Sequence, residues 1–375
     1  TQDMSSAAKI DSVAFDDTSV TITGSADVPT TMLDLIGMDS IKVTTDTTVD
    51  RSGWNVEAAM ALDITGSMAG SRITALKGAA TDFVNTVVQD EQAPYTSKVA
   101  IAPYSNSVFV GATLAPLLRG AASNSCTTYG CSTYQFTDNG SGSCSNNLNT
   151  AANKGTQCKW AINNCVVERE GAQAFTDATP AAGAWLSANY RASSDPCPTS
   201  PIVPLTSNKS SLISAINGLS AGGNTAGHIG IAWAWYLLSP NFSSFYPADG
   251  KPNAYTDKKT MKVAVLMTDG EFNMMHCTGV ASADTGSGVN AINCNAPNGS
   301  SFTQAKKLCA AMKAQKIIIY TIGFTITKGG AAESLLKECA SSPAAPYFNT
   351  PVTNADLAAT FKSVAKSISQ LRISH

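Results

Sequence analysis

The sequence predicts an α/β fold in which helices flank a doubly wound, mostly parallel sheet. From residue 56 onward, apolar segments of strand length alternate with amphipathic segments of helix length, which is typical of parallel strands joined by crossover helices. Two strand segments, KVAVLMT and KIIIYTIG, are continuous apolar runs. Such runs indicate central strands that are covered on both faces.

Residues 1–52 are predicted to form a small N-terminal β-rich segment. The segments SVTITGSA (19–26) and IKVTTDTTVD (41–50) alternate apolar and polar residues, which is the pattern of half-exposed strands. Between them, VPTTMLDLIGMDS predicts a short helix or a turn that a proline opens.

Residues 53–375 are predicted to form the main α/β domain. Its predicted strands are 56–63, 98–104, 261–268 and 317–323. Its predicted helices are 72–89, 209–218, 226–238, 302–315, 331–339 and 353–369. In helix 72–89 the apolar residues fall on one face at helical spacing, which places that face against the sheet.

Two insertions interrupt this pattern. The first, 117–205, is rich in Ser, Asn, Gly and Cys. An unstructured loop of that length is improbable in a compact domain, so we expect a disulfide-linked subdomain. The second, 270–300, directly follows a predicted central strand. We expect it to leave from the edge of the sheet at which polar side chains gather.

Ten cysteines indicate disulfide bonds in an oxidising compartment. Zinc is the alternative, but the sequence has no CxxC pair and few histidines. A Cys277–Cys294 bond would close the second insertion, and Cys309 and Cys339 lie on predicted helices that flank strand 317–323. The six cysteines within 126–197 leave their connectivity open.

Charge and composition exclude several function classes. The net charge is −2 and only 14% of the residues are charged, which argues against a nucleic-acid-binding surface. The apolar stretches are too short to span a bilayer. The chain begins with Thr1 rather than Met, so we expect an N-terminal signal or anchor to precede it. Together with the cysteines, this composition predicts an extracellular, cell-surface or periplasmic protein.

Three polar fragments are predicted to meet at one edge of the sheet. Asp63, Thr65 and Ser67 follow the first buried strand at alternate positions, and Asp269 follows strand 261–268. Thr225 lies in a glycine-rich loop between two predicted helices. Because the carboxyl ends of parallel strands lie at the same edge, we expect these five side chains to converge there.

Carboxylates and hydroxyls at such an edge form an all-oxygen set, which hard divalent cations prefer. Mg²⁺ is the predicted cofactor, with Mn²⁺ or Ca²⁺ as alternatives, and the absence of His and Cys disfavours zinc or copper. Each fragment alone has a simpler interpretation. Asp63 or Ser67 could cap helix 72–89, and Asp269-Gly270 could be an ordinary turn. A serine could serve both as cap and as ligand.

These fragments resemble the metal-ion-dependent adhesion site (MIDAS) of von Willebrand factor A (vWA) domains. The resemblance rests on Asp63-x-Thr65-x-Ser67, on Thr225 in GGNT and on Asp269 in TDG, in that order and in the strand–helix context of roughly 56–370. Thr65 stands where the family usually has serine. The resemblance implies a Rossmann-like sheet in which Ser67 and Thr225 ligate the ion directly in the open, ligand-bound form, while the aspartates ligate directly or through water.

The flanking segments resemble TadG-like proteins of the bacterial Tad/Flp (tight adherence) pilus. The resemblance rests on residues 20–50, directly before the vWA-like region, and on the ending FKSVAKSISQLRIS. It implies a hydrophobic N-terminal helix before this segment and a vWA domain outside the cytoplasmic membrane. It also implies other Tad pilus subunits as partners, with membrane contact only through that helix.

Adhesion is the predicted function. An ion with few protein charges around it can accept a carboxylate from a partner protein or a surface polymer, and Glu271 and Asn224 are predicted to lie at the rim that selects this partner. The alternative is a minor pilin or assembly subunit that docks other pilus proteins through the same site. A hydrolase is disfavoured because the sequence has no P-loop, nucleophile elbow or dinucleotide fingerprint and because His228 begins a largely apolar helix.

Overall fold

The computed structural model describes residues 8–15, 19–30, 37, 40–50, 53–122, 133–137, 157–190, 196–287 and 294–374. Its strands are β1 (Ala8–Phe15), β2 (Ser19–Pro29), β3 (Ser40–Asp50), β4 (Asn55–Asp63), β5 (Ser97–Tyr104), β6 (Val108–Phe109), β7 (Thr133–Thr137), β8 (Gln157–Arg169), β9 (Leu186–Tyr190), β10 (Val203–Thr206), β11 (Thr260–Thr268), β12 (His276–Cys277), β13 (Val280–Ala281), β14 (Ile318–Gly323) and β15 (Phe348–Asn349). Its helices are α1 (Ser71–Val87), α2 (Gly111–Arg119), α3 (Lys209–Asn217), α4 (Gly227–Tyr236), α5 (Ser301–Ala314), α6 (Ala331–Cys339) and α7 (Asn354–Ser374).

A six-stranded, mostly parallel sheet forms the centre of the main domain. Its strand order is β10-β5-β4-β11-β14-β15. Strands β5, β4, β11, β14 and β15 are mutually parallel, whereas β10 pairs antiparallel with β5. The predicted α/β class is therefore confirmed, and the predicted strands and helices of this domain are all present. Strands β10 and β15 and helix α2 were not predicted.

Helices cover both faces of this sheet because its strands are apolar on both sides. In β4, Met60 and Leu62 pack in one core cluster with residues of α1, α3 and α7. The intervening Ala59 and Ala61 pack in a second cluster with residues of α4, α5 and α6. This alternation follows from the two-residue period of a strand. All ten residues of α4 are buried, so this helix lies deep in the second layer.

Strand β8 of the first insertion pairs with β7 and β9 of the same insertion and with β6, which precedes it. A disulfide joins Cys165 and Cys197, and β10, at the end of the predicted range 117–205, belongs to the central sheet. The second insertion contains the β12–β13 hairpin. Disulfides join Cys277 to Cys294 and Cys309 to Cys339, so the prediction of disulfide bonds is confirmed.

The N-terminal segment forms a three-stranded antiparallel sheet of β1, β2 and β3. Strand β1 was not predicted, and β2 extends to Pro29. The short helix or turn predicted between β2 and β3 falls mostly on residues 31–36 and 38–39, which lie outside the described residues. Within the described part of the chain, none of the helices combines the length and apolarity needed to cross a membrane.

Candidate metal centre at the carboxyl end of the sheet

The central sheet brings the carboxyl ends of β4 and β11 side by side. These strands are parallel neighbours, and Asp63 is the last residue of β4, while Asp269 directly follows β11. The chain then turns through Thr65 and Ser67 before α1 begins. Three of the side chains are at most 5% exposed, namely Asp63, Thr65 and Asp269, whereas Ser67 is exposed. The site therefore opens to solvent at Ser67.

A chain of short oxygen–oxygen contacts joins four of the predicted ligands. Thr65 Oγ1 donates to Asp63 Oδ1 at 2.6 Å, and Thr65 Oγ1 and Ser67 Oγ lie 2.9 Å apart. Ser67 Oγ in turn donates to Asp269 Oδ1 at 2.6 Å. Oxygen atoms from two strand ends, 202 residues apart in sequence, thus form one cluster.

The loop that carries Thr225 lies against the same turn. The Gly66 N–H donates to the Gly223 carbonyl at 2.9 Å and the Gly222 N–H donates to the Ile64 carbonyl at 2.8 Å. Gly223 has φ +84°, a conformation that favours glycine. Thr225 is 6% exposed.

Hydrogen bonds fix the backbone of Thr225. Its N–H donates to Asn273 Oδ1 at 2.8 Å, and its carbonyl accepts from the N–H groups of Asn273 and Met274 at 3.0 and 3.1 Å. In the described structure, the Thr225 hydroxyl is not part of the chain of oxygen contacts that joins the other four residues. Asn273 was not among the predicted site residues.

The second carboxylate oxygen of Asp63 faces the interior of the domain. Asp63 Oδ2 accepts a hydrogen bond from Thr268 Oγ1 at 2.8 Å. The Tyr104 hydroxyl lies 3.3 Å from the same oxygen and donates to the Met267 carbonyl at 2.9 Å. Tyr104 was not among the predicted site residues, although it ends β5, the strand next to β4, directly opposite Asp63.

Two buried carboxyl groups in one site make ionisation of Asp63 costly. Burial, followed by the negative charge of Asp269, raises the pKa of Asp63 from 3.8 to about 6, against the hydrogen bonds from Thr65 and Thr268 that lower it. A positive charge between these carboxylates would oppose this rise. The pKa of Tyr104 is also well above its usual value, mainly because of burial and then the charge of Asp63.

Arg72 already supplies one positive charge to the site. Its Nη1 donates to Asp269 Oδ2 at 3.0 Å, and the Arg72 side chain is 38% exposed. The guanidinium carbon lies 5.6 Å from the centroid of the Phe324 ring, which holds the group beside the site. The sequence signal for Arg72 was its position in the first turn of α1, next to the MIDAS-like fragment.

The donor set fits a hard divalent cation. Asp63, Thr65, Ser67, Thr225 and Asp269, which we call the candidate metal centre, offer only carboxylate and hydroxyl side-chain oxygens, the chemistry that Mg²⁺ and related ions prefer. Across the described residues, no group of three or more His, Cys, Asp or Glu side chains is arranged to hold a metal ion. A cation in this centre therefore depends on hydroxyl oxygens as well as on its two carboxylates.

The two predicted rim residues also have structural contacts. Glu271 is exposed, and its Oε1 accepts from the Ala332 N–H at 3.1 Å, where a carboxylate stabilises the N-terminus of α6. Asn224 is half-buried, and its backbone N–H donates to Asn106 Oδ1.

A buried carboxylate connects both insertions to the helix that follows the Thr225 loop. Glu168 in β8 accepts from the His276 backbone N–H at 2.7 Å and lies 2.9 Å from His276 Nδ1. Its Oε1 also lies 3.2 Å from His228 Nε2 at the start of α4. His228 is fully buried and bonds Glu168, which gives it a structural contact outside the candidate metal centre.

Comparisons with known proteins do not assign a family. No family model matches the chain, and no curated protein matches it. Among solved structures, the vWF domain of the type V pili tip protein Mfa5 from Porphyromonas gingivalis is similar over 85% of this chain and 97% of its own, with 12% identity and a TM-score of 0.46.

Two further structures are similar at this level. The pilus adhesin SpaC from Lactobacillus rhamnosus GG matches 96% of this chain, which spans only 34% of SpaC, with 10% identity and a TM-score of 0.42. A mutant of the PilB minor pilin from Streptococcus sanguinis matches 97% of this chain and 78% of its own, with 11% identity and a TM-score of 0.40. Likenesses this low leave the function of the chain to be argued from its own residues.

Proposed function

We propose that this chain is a non-enzymatic, pilus-associated protein that binds a carboxylate of its partner through a divalent cation in the candidate metal centre. The observation that carries the proposal is the chain of close oxygen contacts from Asp63 through Thr65 and Ser67 to Asp269. A helix cap or a turn needs one of these side chains. Neither requires two carboxylates from separate strands to share one cluster of hydroxyls.

The residues of the candidate metal centre have different roles in holding the ion. Asp63 is the buried acceptor, held in place by Thr65 and Thr268. Asp269 provides the second negative charge, and the exposed Ser67 lies at the opening. When bound, the cation supplies a Lewis-acid position that a carboxylate from outside can fill. Mg²⁺ is the first choice for this centre, with Mn²⁺ or Ca²⁺ as alternatives.

Neither of the two histidines among the described residues belongs to the candidate metal centre, since both contact Glu168, and this favours the non-enzymatic assignment. Metal-assisted hydrolysis needs a positioned group that takes a proton from water. The nearest histidine in sequence, His228, is fully buried and bonded to Glu168. A hydrolase would require turnover that disappears when Asp63 is replaced.

The Tad pilus is the proposed setting, on the basis of the flanking sequence resemblance. The same resemblance supports a second candidate function, in which the chain is a minor pilin or assembly subunit that docks other pilus proteins. Adhesion and docking would use the same centre. Its partner would be a protein or a surface polymer that presents a carboxylate, at the cell surface or in the periplasm.

Calorimetry on the metal-free chain tests the metal centre directly. Titration with Mg²⁺, Mn²⁺ and Ca²⁺ should show one site, and Asp63→Asn should abolish it because the isosteric amide removes one of two negative charges. Asp82→Asn is the matched control, since Asp82 is exposed on α1. No uptake of any of the three ions by the unaltered chain would refute the proposal, as would equal uptake by both variants.

A cellular experiment separates the two candidate functions. Cells that carry Asp63→Ala should keep their pili and lose attachment if the centre binds an external surface. Cells without pili would instead support the assembly subunit. Attachment and pili that both remain normal would contradict both functions.

A further inference from the structure

The N-terminal sheet has one apolar face that the described structure leaves exposed. Cross-strand pairing aligns Val13 with Ile22 and Ala26 with Val43, so apolar residues from all three strands lie on the same side. Its large, exposed members, which we call the apolar face, are Ile10, Val13, Phe15, Ile41, Val43 and Val49. Their exposed fractions run from 44% for Ile41 to 71% for Phe15.

The opposite face of this sheet is polar. Lys9, Lys42, Thr44 and Asp46 occupy the alternate register positions. The register shift between Ile10 and Ser12 leaves Asp11 as an extra residue, and its carboxylate lies 4.0 Å from Lys9 Nζ. Charge is therefore concentrated away from the apolar face, which carries none at its register positions.

The exposed apolar face favours an interaction surface. Three strands with a hydrophobic face are near the minimum for a stable sheet in water, and contiguous exposed apolar patches mark interaction surfaces. The absence of charge on the face means that a second copy meets no repulsion there. It also means that the face offers nothing to select a charged partner.

The area of the face is sufficient for an interface between two copies. The three strands contain 8, 11 and 11 residues. With about 3.4 Å per residue and about 4.8 Å between strands, the sheet covers about 500 Å². Two such faces would bury about 1,000 Å², which is the area that a biological interface should reach.

We infer that the apolar face is a homodimer interface, in which the sheets of two copies pack face to face. The arrangement is the two-layer packing of a β-sandwich, with the layers about 10 Å apart. A two-fold axis would place the same patch of each copy against the other. This surface is separate in sequence from the candidate metal centre, so the inference does not depend on metal binding.

Sedimentation equilibrium of the 375-residue chain tests the inference. The chain should have twice its monomer mass of 38.8 kDa at micromolar concentration. Val43→Asp should weaken the dimer at least tenfold, because it places a charge in the interface. Thr44→Asp is the matched control, since it places the same charge on the polar face of the same strand and should leave the dimer unchanged.

Val43→Thr distinguishes a weakened interface from an unfolded N-terminal sheet. Threonine has the shape and strand propensity of valine, so this variant should also weaken the dimer while circular dichroism stays unchanged. A monomer at 100 µM (about the highest practical concentration) would overturn the inference and point to another segment or partner on this face. Equal dimerisation of Val43→Asp and Thr44→Asp would overturn it as well.

Discussion

Arg72 Nη1 lies 3.0 Å from Asp269 Oδ2, so the candidate metal centre contains a positive charge from its own chain. The Asp269 side chain is fully buried, whereas that of Arg72 is 38% exposed. This pairing neutralises part of the charge of two neighbouring carboxylates. It also places a cation beside the position that a divalent ion would occupy, so the two charges should oppose each other.

Arg72→Gln should therefore lower the stability of the metal-free chain and raise its affinity for the metal ion. Loss of the pair should lower the free energy of unfolding of the metal-free chain by about 1 kcal/mol. The affinity for Mg²⁺ should rise on the order of tenfold, because a repelling charge is removed. Calorimetry and urea unfolding measure the two effects, with Lys77→Gln on the same helix as the control. A lower Mg²⁺ affinity in Arg72→Gln would show that Arg72 helps to hold the ion.

The stability of the metal-free chain should depend on pH through Asp63. The pKa of Asp63 is about 6 in the folded chain, compared with an ordinary 3.8. Between pH 3.8 and 6, the folded state therefore holds a proton on Asp63 that the unfolded state has lost. This contribution to the free energy of unfolding is therefore fully present below about pH 4. It is lost as the pH rises through 6, by about 3 kcal/mol in total.

Urea unfolding from pH 4 to pH 7 in a chelator measures this dependence. Asp63→Asn cannot ionise, so its profile should lack the decline that the unaltered chain shows. Below pH 6, a cation must displace the proton on Asp63 in order to bind. The affinity for Mg²⁺ should therefore fall about tenfold for each pH unit below 6. Parallel stability profiles of the two proteins would contradict the expected ionisation of Asp63.

Gly230→Ala should disturb the candidate metal centre by displacing the ring of Tyr104. A Cβ at Gly230 would lie 2.2–2.7 Å from ring atoms of Tyr104, and the Tyr104 hydroxyl lies next to Asp63. The ring must move, which should cost about 1–3 kcal/mol of stability and weaken Mg²⁺ binding. Gly78→Ala is the control, since a Cβ there meets no atom within 4 Å and should stabilise α1 by about 0.5–1 kcal/mol. Unchanged Mg²⁺ affinity in Gly230→Ala would show that Tyr104 does not position Asp63.

Glu168→Gln should loosen the connection between the two insertions. Burial raises the pKa of Glu168, but His276 and His228 outweigh it and hold the pKa well below its usual 4.5. Its ionised form therefore stabilises the fold above about pH 4.5, and this contribution is lost as the pH falls through the lowered pKa. The variant should lose about 2–4 kcal/mol at pH 7.

Hydrogen exchange locates that effect. Amides of 157–169 and 276–281 should exchange faster in Glu168→Gln, while those of β4 and β11 keep their protection. Glu170→Gln is the matched control, because Glu170 accepts from the Thr278 N–H at 2.9 Å and is less buried than Glu168. Faster exchange throughout the central sheet would mean that Glu168 supports the whole domain rather than the joint between the insertions.

Elements with a strong local pattern were predictable from the sequence. The strands 56–63 and 261–268 are mostly apolar, and parallel strands of one sheet end at the same edge, so Asp63 and Asp269 were expected to lie close together. Strand β1 was missed because a register shift between Ile10 and Ser12 interrupts its alternation. Helix α2 was missed because Pro116 lies inside it, although proline usually ends a helix.

Contacts between distant segments were not predictable in the same way. Arg72 and Tyr104 reach the candidate metal centre through side chains whose direction depends on the finished packing. The contact of Glu168 with His276 spans 108 residues, and no local pattern in either segment indicates the other. Metal binding by Thr225 stays a prediction, since its hydrogen bonds fix its loop but do not place its hydroxyl in the cluster.

The central sheet ends in short strands at both edges. Strand β10 has four residues, including Pro204, which has no N–H to donate, and β15 has two residues. Foreign strands therefore find little backbone to pair with on either side of the main domain. The N-terminal sheet ends instead in β1 and β3, with eight and eleven residues. Among the sheets of the described residues, the N-terminal sheet therefore has the longest edge strands, and the hazard of amyloid-like growth is greatest there, away from the part of the chain that would hold a cation.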